Sequence, residues 1–549
     1  MTAAENAETE SRLTEPPAPE LIASAYAREV RDAAILYEGM SLADVAHVVA
    51  SIEAGIVPRD NGGELLSALL SVHPNPPLDF ALDPARGDLY SNREAYLRML
   101  TPAAGWLSAG RARREATTIG YRIAVRTRLL VLVAAIEGCA ASALDQAEAH
   151  RATLFPDYTY LQPAQPTTFG HYLLTFVYPM LRDLDRARAA FARTNASPAG
   201  SGSVNGSRLP LDRARLAELL GFDAVIPHTR DAMWQADGPI EIAALVAAAL
   251  VNLDRLAEDL QIFSTSEFGL VELADRHART SVIMPQKKNP YSLAYVRGVC
   301  GEAIGALAAM AAVGKTPSGQ VDNRIFAYGD APRALDGAIG AIRLMDGVLR
   351  GLTVSVERAA RRAAQEFIGA TDLAEVIMLK SGLDYKAAHD LVGRAVRAAI
   401  ESGVTTLTAD ALNTAAGRDL GLMPDEVAGA LDPARIVAAR AGPGGAAESS
   451  VTQMIGECRQ SLADHRRWRE EAHARLAEAE SLLLMTAAAL RVEVSGAEVS
   501  GDEAHTPQPE QQTPEAPEPE RPSWESLFDD LPQPPNRRRW RPPPDISNW

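Results

Sequence analysis

Residues 280–290 read Thr280-Ser281-Val282-Ile283-Met284-Pro285-Gln286-Lys287-Lys288-Asn289-Pro290, a run whose side chains can do chemistry together. Two lysines bring positive charge to one short loop, and Asn289 adds an amide donor. Ser281 can move a proton if its alkoxide is stabilised. Such a set suits capture of a small anion, with two prolines keeping the segment out of helix. Residue types alone leave a second reading open, a solvated basic loop without a ligand.

The run has to be positioned by its neighbours. It follows an apolar helical pattern and the polar connection 264–279, and it precedes another helical pattern that begins near Ser292. Ala, Leu, Val and Arg dominate the chain while aromatics make up 5%, a mixture that favours helices over sheets. From about residue 22 to 490, helix-length amphipathic patterns recur and period-two alternation is almost absent. Segments 111–149 and 240–265 are expected to be the longest helices. The second is apolar on most of its surface, which suits a bundle centre or a face covered by another chain.

Length and charge narrow the class. A chain of 549 residues predicts two to four domains, and 47% apolar with 23% charged residues suits a soluble protein with a large core. A net charge of −17 argues against nucleic-acid and anionic-membrane partners. Cys139, Cys300 and Cys458 lie far apart, which excludes a disulfide framework and argues against structural zinc. No glycine-rich phosphate loop or ligand cluster suggests a cofactor or metal. The acidic N-terminus lacks a signal-peptide pattern, and no apolar stretch is expected to span a bilayer. The expectation is a soluble cytoplasmic protein.

The run at 280–290 resembles the signature loop of the fumarase/aspartase superfamily, with Met284 to Pro290 worded like its argininosuccinate lyase branch. Phe155-Pro156-Asp157-Tyr158-Thr159-Tyr160-Leu161-Gln162-Pro163-Ala164-Gln165-Pro166 resembles that family's second conserved block, and Trp106-Leu107-Ser108-Ala109-Gly110-Arg111-Ala112-Arg113 its first. Weaker echoes such as Gly200-Ser201-Gly202 and Ser266-Glu267-Phe268-Gly269 keep the family's order from about residue 25 to 490. The resemblance implies an all-α, three-domain fumarase/aspartase-type fold with a long central helical bundle. Its parts are a disordered N-terminus at 1–20, an N-terminal helical domain at 21–115 and a central bundle at 116–366. A C-terminal helical domain follows at 367–490, then a disordered Pro-rich tail at 491–549. It also implies a homotetramer whose active sites each draw their three blocks from three chains.

The implied reaction removes a proton next to a carboxylate and expels an amine or alcohol from the adjacent carbon, releasing fumarate. Ser281 is the implied general base. Lys287 and Asn289 hold the carboxylate with Thr159 and Gln162, and Arg113 lies near the substrate. Several positions depart from the family's pattern. Tyr160 replaces a histidine, and Ala294 replaces the glutamate that usually pairs with it, so both halves of a charge pair are gone together. A phenol donates a proton more readily than it accepts one at neutral pH, so Tyr160 is either a catalytic acid or a packing aromatic. Ala112 and Arg114 replace a Ser and an Asn, and Arg114 is either a carboxylate clamp or a surface residue. Around the aligned Asn323-Arg324, the family's Tyr, Gln and Lys become Asp322, Ala327 and Asp330. The two aspartates are expected to favour a cationic, amine-bearing group over argininosuccinate.

The expected activity is therefore an argininosuccinate lyase-like carbon–nitrogen lyase in specialised metabolism. It releases fumarate from an N-substituted aspartate, or adds an amine to fumarate. An inactive scaffold, or elimination of a non-amine group, stays open as an alternative. The tail holds 12 of the 36 prolines and two islands, Trp524 to Leu531 and Arg537 to Arg541, that suit docking to a protein partner.

Overall fold

The computed structural model describes residues 15–491. The tail and its two islands lie outside the described residues. Within them the architecture is helical, and nine helices carry the argument. They are α1 (Ala33–Glu53), α2 (Arg113–Ala149), α3 (Phe169–Thr194), α4 (Asp237–Phe263) and α5 (Tyr291–Gly314), then α6 (Tyr328–Arg350), α7 (Ala370–Ser381), α8 (Tyr385–Glu401) and α9 (Glu448–Leu490). Among the described residues every sheet is two-stranded.

Helices α2 to α6 form the central bundle. The chain enters α2 through Gly110, whose left-handed φ of 72° turns it, and buried Asp44 holds the entry by pairing with both Arg93 (3.0 Å) and Arg111 (2.5 Å). Helix α3 returns antiparallel, because Arg122 near the start of α2 donates to the Arg193 and Thr194 carbonyls at the end of α3. The Thr168 hydroxyl caps α3 by accepting from the His171 amide. One hydrophobic core lies inside this bundle and a second between α1 and its neighbours. A third, smaller core is built from residues 373–430, with α7 and α8 at its centre.

Three expectations are corrected. The longest helix is α9, with 43 residues, ahead of α2 with 37. It leaves the small C-terminal core and packs back along the bundle, placing Val451 to Ala472 in the first core and Leu483 and Ala487 in the second. The apolar helix 240–260 is covered by its own chain, since Ile242, Leu245, Val246, Leu250, Leu253 and Leu256 are all buried. Finally, α1, α2 and α5 are each long and apolar enough, by length and composition alone, to cross a membrane. The first two bury most of that apolar window inside the chain, whereas only 22% of the α5 window is buried. Helix α5 is thus the uncovered apolar surface, exposing Tyr295, Ile304 and the open positions Gly298, Gly301 and Gly305.

Candidate active site

The end of the bundle where α2 finishes carries the second block on a hairpin, β1 (Leu154–Thr159) and β2 (Gln162–Thr168). Aromatics are scarce in the chain, yet they gather here. Phe155 and Tyr158 contact Phe263 at ring separations of 5.5 and 5.7 Å, and Phe169 and Tyr172 complete the cluster. This packing seats the strands on α3 and α4 and leaves the tip free. Thr159 pairs with Gln162 across the turn. Between them, Tyr160 (φ 55°) and Leu161 (φ 57°) are both left-handed, in a turn normally given to Asn-Gly. The Tyr160 side chain is 100% exposed.

The signature loop sits at the same end, between α4 and α5. Its base is a minimal ladder in which β3 (Arg279–Thr280) pairs with β4 (Lys288–Asn289), and residues 281–287 loop out exposed or half-buried. The Ser281 hydroxyl oxygen accepts the Met284 amide at 3.2 Å, so a backbone dipole already points at the oxygen that would bear negative charge. The Asn289 amide donates to the Arg279 carbonyl at 3.0 Å and keeps a second N–H for a ligand. The Lys287 ammonium has no hydrogen bond or ion pair among the described residues, whereas that of Lys288 is bonded to Glu272 and Asp275 at 2.8 Å each. The two adjacent lysines therefore have different uses, and residue type gave no signal of it.

The remaining candidates lie at the opposite end. Arg113 opens α2, donating to the Ser91 hydroxyl and lying 3.7 Å from Asp88. Arg114 is not a surface residue: it is buried, stacks on Trp234 at 3.7 Å and donates to the Met233 carbonyl and Asn323, each at 2.7 Å. Burial pulls its guanidinium below the ordinary range. Arg324 is held by Glu29 (2.6 Å) and Asp88 (2.9 Å). Asp330 does not face a ligand as a free charge, because Arg28 (2.8 Å) and Arg333 bind its two oxygens. Only Asp322 of that pair remains uncommitted among the described residues, half-buried and without a partner. One group here escaped sequence reasoning. Glu115 is buried and accepts from the Gly200 amide at 2.7 Å, and burial raises its carboxyl to about 7.

The chain thus sorts its candidates into two sets. Thr159, Tyr160, Gln162, Ser281, Lys287 and Asn289 gather at one end, while Arg113, Arg114, Asp322 and Arg324 gather at the other. They lie toward opposite ends of α2, whose 37 residues run about 55 Å at 1.5 Å per residue. No small substrate bridges that span within one chain. Among the described residues no group of three His, Cys, Asp or Glu side chains is placed to hold a metal ion.

Comparison with known proteins identifies the family. A lyase family profile matches residues 87–305, and one described as argininosuccinate lyase C-terminal matches residues 367–438. The argininosuccinate lyase of Methanoculleus marisnigri is 35% identical over 451 residues, covering 81% of this chain and 92% of that protein. EDDS lyase in complex with formate superposes with a TM-score of 0.79 at 32% identity, over 87% of this chain and 96% of that one. An EDDS lyase variant with bound fumarate gives 0.78 at 31% identity and the same coverage. The chain belongs to the argininosuccinate lyase family of the fumarase/aspartase superfamily and is a carbon–nitrogen lyase.

Proposed function

We propose that the substrate is an N-substituted aspartate and that Ser281 takes the proton from the carbon beside its carboxylate. The electron pair left by that proton forms the double bond of fumarate as the C–N bond breaks, and the departing nitrogen takes up a proton. Charge builds on the carboxylate in between, where donors fixed in advance stabilise the transition state more than the ground state. Lys287, Asn289, Thr159 and Gln162 are the donors for that carboxylate. Tyr160, at the hairpin tip, is the proton donor to the leaving amine, in place of the family's histidine. Arg113, Arg114 and Arg324 serve the other end of the substrate, and Asp322 receives a cationic group on the amine.

One observation carries this reading. The Ser281 oxygen meets a backbone N–H in a loop whose Lys287 ammonium has no partner among the described residues and so is available to an anionic ligand. The placement of the two sets toward opposite ends of α2 further supports composite sites in a homotetramer, with the apolar face of α5 buried between chains. The three-domain division at 21–115, 116–366 and 367–490 and a cytoplasmic location belong to the same proposal.

The test incubates the protein and its Ser281→Ala variant with fumarate and a panel of amines and amino acids, and separately with argininosuccinate. Mass spectrometry reads the products. A serine-dependent adduct, reduced at least about a hundredfold in the variant, is expected. Fumarate from argininosuccinate would overturn the assignment of Asp322, and equal turnover by the two proteins would overturn Ser281 as base.

A further inference from the structure

The ladder that carries the signature loop is too small to hold it. Its strands are two residues each, pairing Thr280 with Lys288 and Arg279 with Asn289, and isolated two-stranded ribbons are marginal in water even when longer. Seven residues hang from it. Other contacts must fix the loop, and they converge on β4 and its flank. The Asn289 amide bonds the Arg279 carbonyl, the Arg279 guanidinium lies 5.0 Å above the Tyr291 ring, and the Lys288 ammonium reaches two carboxylates on a separate piece of backbone.

That piece of backbone is itself secured. Glu272 ends a short strand paired with Thr353–Val354, and Asp275 opens a single 3-10 turn whose His277 carbonyl accepts from Ser292 at the start of α5. Lys287 immediately precedes β4 and its backbone amide donates to the Met284 carbonyl at 3.1 Å, while Ser281 follows Thr280, the partner of Lys288, so holding Lys288 holds the stem from which both hang. The carboxylates also tune the bond: Lys288 holds Asp275 below the usual carboxylate range, and both acids hold the Lys288 ammonium above its own.

We infer that Lys288 is a positioning residue, a latch on Glu272 and Asp275 that fixes the stem of the signature loop and so positions Lys287 and Ser281 for the substrate. This rests on the assignment of Ser281 and Lys287 made above. Because the latch is exposed, salt should weaken it, as should loss of the charge. Arginine can make the same two contacts.

The test compares Lys288→Met, Lys288→Arg and the exchange variant Lys288→Glu with Glu272→Lys and Asp275→Lys, all in the full chain, with Ser281→Ala alongside. Two readouts are used, hydrogen exchange of amides 281–287 by mass spectrometry, and kcat with KM on whichever substrate the panel identifies. Exchange should quicken about fivefold in Lys288→Met, matching a lost exposed ion pair, and return to wild type in Lys288→Arg and the exchange variant. The thermal midpoint should stay within about 2 °C, and kcat should follow the exchange rate. Unchanged exchange in Lys288→Met, or no recovery in both rescue variants, overturns the latch. If Ser281→Ala turns over normally while exchange behaves as expected, the latch stands and the catalytic assignment falls.

Discussion

At position 115 a carboxylic acid is 1% exposed, with one oxygen on the Gly200 amide and the other without a partner. Its carboxyl sits at about 7 because burial penalises the charge more than Arg111 and Arg213 relieve it. Between the unfolded value of ~4.3 and 7 the folded protein binds more protons than the unfolded one, so stability from this group falls as pH rises through that window. The full effect is at most about 4 kcal/mol above pH 7. Glu115→Gln keeps an acceptor for Gly200 and has no charge to bury. Its denaturation midpoint should match wild type at pH 5 and exceed it at pH 8; parallel curves would mean Glu115 ionises freely. Residue chemistry of this kind was only partly legible in the sequence. Ser281, Lys287 and Asn289 were readable as types that act together. Asp330 was not, because its neutralising Arg28 lies 302 positions away. Nor could the sequence tell Lys287 from Lys288, because only the fold shows that Glu272 and Asp275 take Lys288.

Helices were readable as elements because Ala, Leu and Val recur at helical spacing, but their neighbours were not. The pattern of 240–260 suits either a bundle centre or a face covered by another chain, and α4 packs its apolar residues against α3, α5 and α6 of its own chain, while α5 is the open one. Periodicity tells how much of a helix is apolar and says nothing about which chain covers it. The hairpin is where a local rule is broken. Side chains in the left-handed region cost about 1–2 kcal/mol per residue relative to glycine, and Tyr160 and Leu161 occupy it consecutively. Leu161→Gly should therefore raise the thermal midpoint, with a gain of about 1 kcal/mol, while leaving Tyr160 at the tip. A lowered midpoint would show that the Leu161 side chain has a packing role that outweighs its strain.

For the molecule as a whole, the length of α2 decides the most. Its 37 residues run about 55 Å, with Arg113 at one end and the signature loop toward the other, so the site proposed above takes them from different chains. Coexpressing Arg113→Ala with Ser281→Ala, each inactive alone, should restore about a quarter of the wild-type sites by random mixing. A mixture as inactive as its parts would place both residues in one chain's site. Helix α9 carries a different consequence, in time rather than space. It supplies a wall to the central core and to the N-terminal core, and lies against α1 from the opposite end of the chain. The central core cannot close until Ala472 has left the ribosome, nor the N-terminal core until Ala487 has, however early their other helices form. Until then the growing polypeptide exposes two unfinished apolar surfaces, the condition under which nascent chains aggregate or recruit chaperones. Docking of α9 is then the event that completes both cores.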